Sequence, residues 1–165
     1  MTEVHEGRCA CGNVQYRVSG EPMVTLACHC TFCQRMTGTA FSELCFFGKE
    51  SVEMQGEVST FEHRSDESGH QIWLHFCPQC GVAVSVTLAR APHVRLISRG
   101  TFDDPNWAPI KLHQFIRSAQ SGVVFGPHLD CYEAGFRKLD GTPNEARRFP
   151  GATMSLGPGR PRQPL

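Results

Sequence analysis

The chain carries no excess charge of either sign: 16 basic side chains balance 16 acidic ones over 165 residues, for a formal net charge of zero. A balanced chain raises no broad field for nucleic acid or for an anionic membrane, so neither is expected as a partner, and any anionic ligand must be met locally. Long hydrophobic runs are missing too. No uncharged apolar stretch approaches the ~18 residues that a membrane span needs. The opening Met1-Thr2-Glu3-Val4-His5-Glu6-Gly7 has no apolar leader core. A cytoplasmic protein is therefore expected. Helical periodicity is scarce, with nothing that reads as longer than a turn or two, and no internal repeat is visible beyond recurring cysteine pairs.

What the chain does have is cysteine, nine of them. At 165 residues one domain is expected, long enough to bury a core without cross-links, so small size does not call for disulfides. An odd count without a secretory signal also argues against a disulfide framework. In a reducing compartment, clustered cysteine means metal or redox chemistry.

The clusters lie among short strand-like segments. Asn13–Val18, Met23–Ala27, Ser42–Phe47, Ser51–Met54, Val58–His63, Gln71–Phe76, Val82–Leu88, Val94–Ser98 and Lys111–Ile116 are apolar runs or alternate apolar with polar residues, and Gly, Pro or polar turns separate most of them. That pattern predicts an all-β assembly over residues 1–139. From about Asp140 the chain turns rich in Gly, Pro and Arg, and residues 140–165 are expected to be a flexible tail.

Three cysteine motifs carry the chemistry. Cys28-His29-Cys30-Thr31-Phe32-Cys33 places three thiols within six residues, enough to grip one soft ion. Cys77-Pro78-Gln79-Cys80-Gly81 has the proline and glycine of a tight metal knuckle, and no βαβ pattern surrounds it that would suggest a thioredoxin-like redox site. Gly7-Arg8-Cys9-Ala10-Cys11-Gly12 offers two sulfurs at i and i+2. On a straight strand these lie too far apart for one ion, and the flanking glycines allow the necessary bend.

Counting donors gives a simple partition. Cys9, Cys11, Cys77 and Cys80 make a closed tetrahedral Zn²⁺ site, and Cys28, Cys30 and Cys33 make a second Zn²⁺ site, two per chain, with its fourth position open to water or to a substrate sulfur. The competing count is two structural zincs, the triple cluster recruiting a fourth ligand such as a histidine. Cys45 and Cys131 read as small buried hydrophobes. His29, between two ligands, is expected to point away from the metal into a supporting or surface position. His113 is either turned to the site or an interior histidine with its hydrogen bond met. Trp73 and Phe76 read as core-strand residues.

The order Gly-x-Cys-x-Cys-Gly, Cys-His-Cys-x-x-Cys and Phe-Cys-x-x-Cys-Gly resembles the glutathione-dependent formaldehyde-activating (GFA) family, also called CENP-V/GFA, from about Gly7 to His113. The resemblance implies a zinc-holding, mainly antiparallel β-tent fold. It also implies that Cys9, Cys11, Cys77 and Cys80 bind a structural zinc, and that Cys28, Cys30 and Cys33 bind a catalytic one. The implied activity is that of a carbon-sulfur lyase, combining glutathione or a similar thiol with formaldehyde or another small aldehyde into an S-hydroxymethyl adduct. Arg35 and Lys49 are candidate partners for glutathione carboxylates, with solvated surface as the plain alternative. The sequence departs from the family at residues 121–130, which lack a usual tryptophan. Two rival functions are a non-catalytic zinc-binding interaction module and a redox or metal-handling protein.

Overall fold

The structure is a computed structural model and describes residues 3–158. Its strands, in chain order, are β1 Val4–Arg8, β2 Gln15–Ser19, β3 Val24–Cys28, β4 Ser42–Gly48, β5 Val52–Gln55, β6 Ser59–Arg64, β7 Gln71–Phe76, β8 Ala83–Leu88 and β9 Val94–Ser98. Three-residue β10 Leu112–Gln114 and β12 Asp130–Tyr132, and two-residue β11 Val124–Phe125 and β13 Thr153–Met154, complete the set among the described residues. The α-helix α1 spans Thr31–Thr37. The chain is mostly β, as the alternation predicts, and mainly antiparallel, as the resemblance implies. Among the described residues no helix is long and apolar enough to cross a membrane.

Two compact units divide the chain. The first comprises the residues up to Thr25 together with Glu43–Ile110. In it β2 pairs antiparallel with both β1 and β5, and β4, β9, β8, β7 and β6 follow one another as antiparallel neighbours. Val14, Tyr16, Val18, Cys45, Phe47, Val84, Ile97 and Phe102 interlock as its core. Full burial of a side chain such as Phe47 contributes roughly 1.5–3 kcal/mol. Cys45 belongs to this core, as its setting in an apolar strand predicts. Trp73 and Phe76, by contrast, are only half-buried, because β7 is partly exposed along its length; the indole of Trp73 donates to Glu62 at 3.2 Å. The register of β7 against β8 slips between His75 and Phe76, a bulge that turns the strand just before Cys77.

The second unit comprises Leu26–Ser42 and the chain from Lys111 onward. Here the pairing departs from the antiparallel expectation: β10 runs parallel to β3 on one side and to β12 on the other. Cys131 lies fully buried on β12, packed with Ala119, Val123 and Phe125. The stretch expected to be a tail is built into this unit as far as the described residues run. Arg147 forms a β-bridge with Cys131, Phe149 stacks on Phe125 at 5.9 Å, and β13 pairs with β11. Composition conceals this because one phenylalanine and a two-residue strand suffice when the rest of the apolar surface is supplied from elsewhere in the unit. The expectation for residues 159–165 lies outside the described part.

Candidate metal centres

Each predicted cysteine set is brought together, one in each unit. In the first unit two tight turns present the sulfurs. The Cys9 amide donates to the Val14 carbonyl at 2.9 Å and the Gly12 amide to the Cys9 carbonyl at 3.0 Å, so the chain doubles back. Gly12 completes the bend at φ 78°, a conformation that side chains resist. The second turn repeats the device: Cys77 donates to Val82 at 3.0 Å, Gly81 to Cys77 at 2.9 Å, and Gly81 sits at φ 72°. The Cys9 and Cys11 sulfurs are then 3.5 Å apart and those of Cys11 and Cys77 3.6 Å apart. With Cys80 included, all four lie within 4.8 Å of one another. Four sulfurs placed tetrahedrally at ~2.3 Å from zinc stand ~3.8 Å apart, so this set fits that ion closely.

The second set is assembled from a strand end and a helix start. Cys28 closes β3, beside Gln114 of β10. Cys30 is the N-cap of α1, and its sulfur accepts the Cys33 amide at 3.4 Å. The helix is short because it is limited at both ends: Cys30 caps it, and Gly38 at φ 66° ends it with its amide on the Gln34 carbonyl at 2.9 Å. The sequence has no long apolar period at this point to announce such a helix. Cys28 and Cys33 are buried and Cys30 is partly exposed, and the three sulfurs lie within 4.8 Å of one another. Among the described residues no histidine or carboxylate joins either set.

Both sets share protons in the way crowded thiols must. Hydrogen bonds from Cys28 and Cys33 hold the Cys30 thiol down to about 3, while the same sharing, with burial, pushes Cys28 and Cys33 up. In the first set burial works against Cys9, yet the Val14 amide and the neighbouring thiols bring it down to about 6. A soft dication resolves this repulsion by taking all the sulfurs as thiolates, and the all-sulfur donor sets suit zinc rather than magnesium, calcium or manganese.

The two histidines lose their open alternatives here. His29 is fully buried, so its surface alternative falls away; its Nε2 meets Nδ1 of His113 at 3.0 Å, between Phe41 and Phe125. Burial, then the adjacent His113, lowers His29 to about 4 and keeps it neutral. Gln34 is a supporting residue that no sequence motif singles out. Its Nε2 donates to the His29 carbonyl at 2.6 Å and to the Ser118 carbonyl at 2.8 Å, which braces the loop bearing Cys28 and Cys30. Its only sequence signal is its place four residues after Cys30, on the inward side of α1.

Beside this centre Thr31, Gln34, Arg35, Gly38, Thr39, Ala40 and Gln120 line a polar cleft of about 350 Å³. Arg35 is one of its walls. Lys49, the other cation singled out from the sequence, lies in a short 3₁₀ turn of the first unit and does not line it.

Likeness to known proteins adds a second line of evidence. A family model described as glutathione-dependent formaldehyde-activating enzyme matches residues 4–118. The chain belongs to the GFA family. The match takes in all seven clustered cysteines, both turns of the first centre and the whole of α1. It stops at Ser118, so the part of the second unit holding β11, β12 and β13 lies beyond it. A solved structure, described as a Rhodobacter sphaeroides protein and structural genomics target, is similar at 16% identity with a TM-score of 0.49, over 64% of this GFA-family chain and 96% of that one.

Proposed function

We propose that this GFA-family chain is a zinc-dependent carbon-sulfur lyase, joining a thiol, glutathione, to formaldehyde or another small aldehyde at the three-cysteine centre. The observation that carries this reading is the donor count: Cys28, Cys30 and Cys33 converge, and no fourth cysteine, histidine or carboxylate among the described residues joins them. His29 and His113, the nearest alternatives, are engaged with each other. Three protein ligands leave a tetrahedral ion one position for a visitor. Zinc held there would lower the pKa of a visiting thiol and keep it as the thiolate.

The chain's own residues supply the rest. Cys28 and Cys33 fix the centre from β3 and α1, and partly exposed Cys30 marks the side from which solvent and substrate arrive. The reaction needs no redox partner. A bond forms between sulfur and the carbonyl carbon, the carbonyl π pair moves to oxygen, and the proton given up by the thiol ends on that oxygen as the new hydroxyl. Proximity and thiolate activation are the main contributions. The four-cysteine centre is assigned a structural zinc.

The test measures zinc per chain and the rate of adduct formation by proton NMR, above the uncatalysed background, in wild type and in Cys30→Ser. Two zincs and an enhanced rate in wild type, with one zinc and background rate in the variant, are expected. Unaltered turnover in Cys30→Ser would overturn the reading. Two zincs that bring no rate enhancement would instead favour the interaction module.

A further inference from the structure

We propose that the polar half of one sheet face in the first unit, centred on Arg95, is a seat for a phosphate group. This site goes beyond the thiol chemistry of the three-cysteine centre and does not depend on it.

Side chains of directly paired strand residues stand on the same face of a sheet. The register therefore aligns Phe47, Arg95, Thr87 and Trp73 across β4, β9, β8 and β7, and places Ser85, His75 and Thr60 on that same face. The face has two halves. Phe47 is buried in the core with Tyr16 and Val18, and Met54 of β5 packs against that core. Arg95 stands where this cover ends: its Nη1 lies 3.8 Å from the Met54 sulfur and donates to the Ser85 hydroxyl at 3.2 Å. Beyond it the face turns polar.

Arg95 is half-buried, yet no carboxylate answers it among the described residues, whereas Arg8, Arg17 and Arg99 of the same unit each hold one. Its Nε–Nη2 edge, the side of a guanidinium that takes two oxygens together, donates to nothing among the described residues. A charge withdrawn from water without a partner is costly, and a bound anion offsets that cost. The hydroxyls add a further donor. His75 meets the Thr60 hydroxyl through Nδ1 at 3.0 Å and the Thr87 hydroxyl through Nε2 at 2.9 Å. An imidazole accepts at one nitrogen when neutral and at none when protonated, so in either state at least one of these threonines keeps its hydrogen for a ligand. Lys49 brings a second cation, close enough for its charge to act on the His75 ring as that of Arg95 does. Glu62, a carboxylate on the same face, is three strands from Arg95 and is held by Gln71 at 2.6 Å and Trp73 at 3.2 Å. Two cations and a hydroxyl call for more charge and more oxygens than a carboxylate has, and a phosphate group supplies about two charges and three acceptor oxygens.

The test is calorimetric titration of the zinc-loaded full chain with inorganic phosphate and with phenyl phosphate. Wild type is expected to bind phosphate saturably with a Kd on the order of 1 mM or below. Arg95→Met keeps a stem that packs on Met54 but removes the charge, and should weaken binding about tenfold or more. Arg95→Lys, which keeps the charge and loses the fork, should fall between the two. Exposed Lys49→Gln should weaken binding about threefold with Tm unchanged. Cys30→Ser should bind phosphate as wild type does, which separates this seat from an ion taken up at the zinc. Phenyl phosphate bound more tightly than phosphate assigns the seat to a phosphate monoester, and equal or weaker binding assigns it to the free ion. No saturation in wild type, binding that survives Arg95→Met, or binding lost in Cys30→Ser overturns the proposal and leaves the thiol reading untouched. Should Arg95→Met fail to fold, unchanged Kd values in both Arg95→Lys and Lys49→Gln overturn it instead.

Discussion

The two cysteine centres use the same donor atom and reach different ends. The four-cysteine centre lies nearer the surface, with Cys11 exposed and Cys80 partly so, yet four donors would fill a tetrahedral ion and leave no position over. The three-cysteine centre is the more buried, with Cys28 at 3% and Cys33 at 6% exposure, yet three donors would leave a tetrahedral ion one position for a ligand. Openness toward a ligand is therefore set by the number of donors and not by their exposure. The backbone follows the same division. Two turns locked by glycines in the left-handed region hold the closed set, and a strand end joined to a helix cap holds the other.

The largest effect should come from removing one ligand from each centre. Cys77→Ser breaks a set that ties residues 9–11 to residues 77–80, and metal binding in such a set is folding free energy. Its Tm should fall by about 10 °C or more, with loss of one zinc, by differential scanning fluorimetry and elemental analysis. Cys30→Ser should also lose one zinc but stay within about 3 °C of wild type, since a ΔΔG near 1 kcal/mol moves a chain of this size only that far. Equal losses of Tm would erase the division between a structural and a working centre.

The share of this that is legible in the sequence depends on how local the signals are. The cysteine sets can be partitioned because donor number and spacing are local facts, and the strands β7 and β9 match their predicted bounds because each lies between clear turn signals. β1 carries no such signal, because Val4–Arg8 alternates too weakly, and its pairing with β2 is what makes it a strand. The parallel placing of β10 between β3 and β12 has no sequence signature at all. Nor does the His29–His113 contact, made between residues 84 positions apart. The structured stretch after Asp140 is hidden for a related reason: its few apolar residues count only once their partners on β11 and β12 are known.

A smaller effect separates the units by acid. His29 is held at about 4 in the folded chain, against about 6.5 in an unfolded one. As pH falls below 6.5 the unfolded chain takes up this proton first, so stability present above that pH is lost on the way down to about 4 and levels off there. The loss is on the order of 1–3 kcal/mol. Tm measured from pH 7.5 to 4.5 should fall more steeply in wild type than in His29→Phe, which keeps the ring packing but cannot titrate. The slope left in the variant belongs to the ligand thiols and to His75, which burial also lowers. Identical slopes would mean that the proton on His29 contributes nothing to the acid sensitivity of the chain.

The smallest effect is the most discriminating, because it compares two glycines with matched backbones. Gly81 sits at φ 72° in the closed centre and Gly38 at φ 66° at the end of α1, and an added Cβ meets nothing within 4 Å at either. Alanine should then cost about 1–2 kcal/mol at both positions, through backbone conformation alone. The same strain has a different consequence at each position. At Gly81 the turn that relaxes is the one presenting Cys77 and Cys80, so zinc should be released to a chelator several-fold faster. At Gly38 the strain falls on a helix end beyond the three sulfurs, and release from that centre should be unchanged. Equal chelator rates in Gly81→Ala and wild type would show that the four sulfurs, and not the locked turns around them, hold the closed centre in shape.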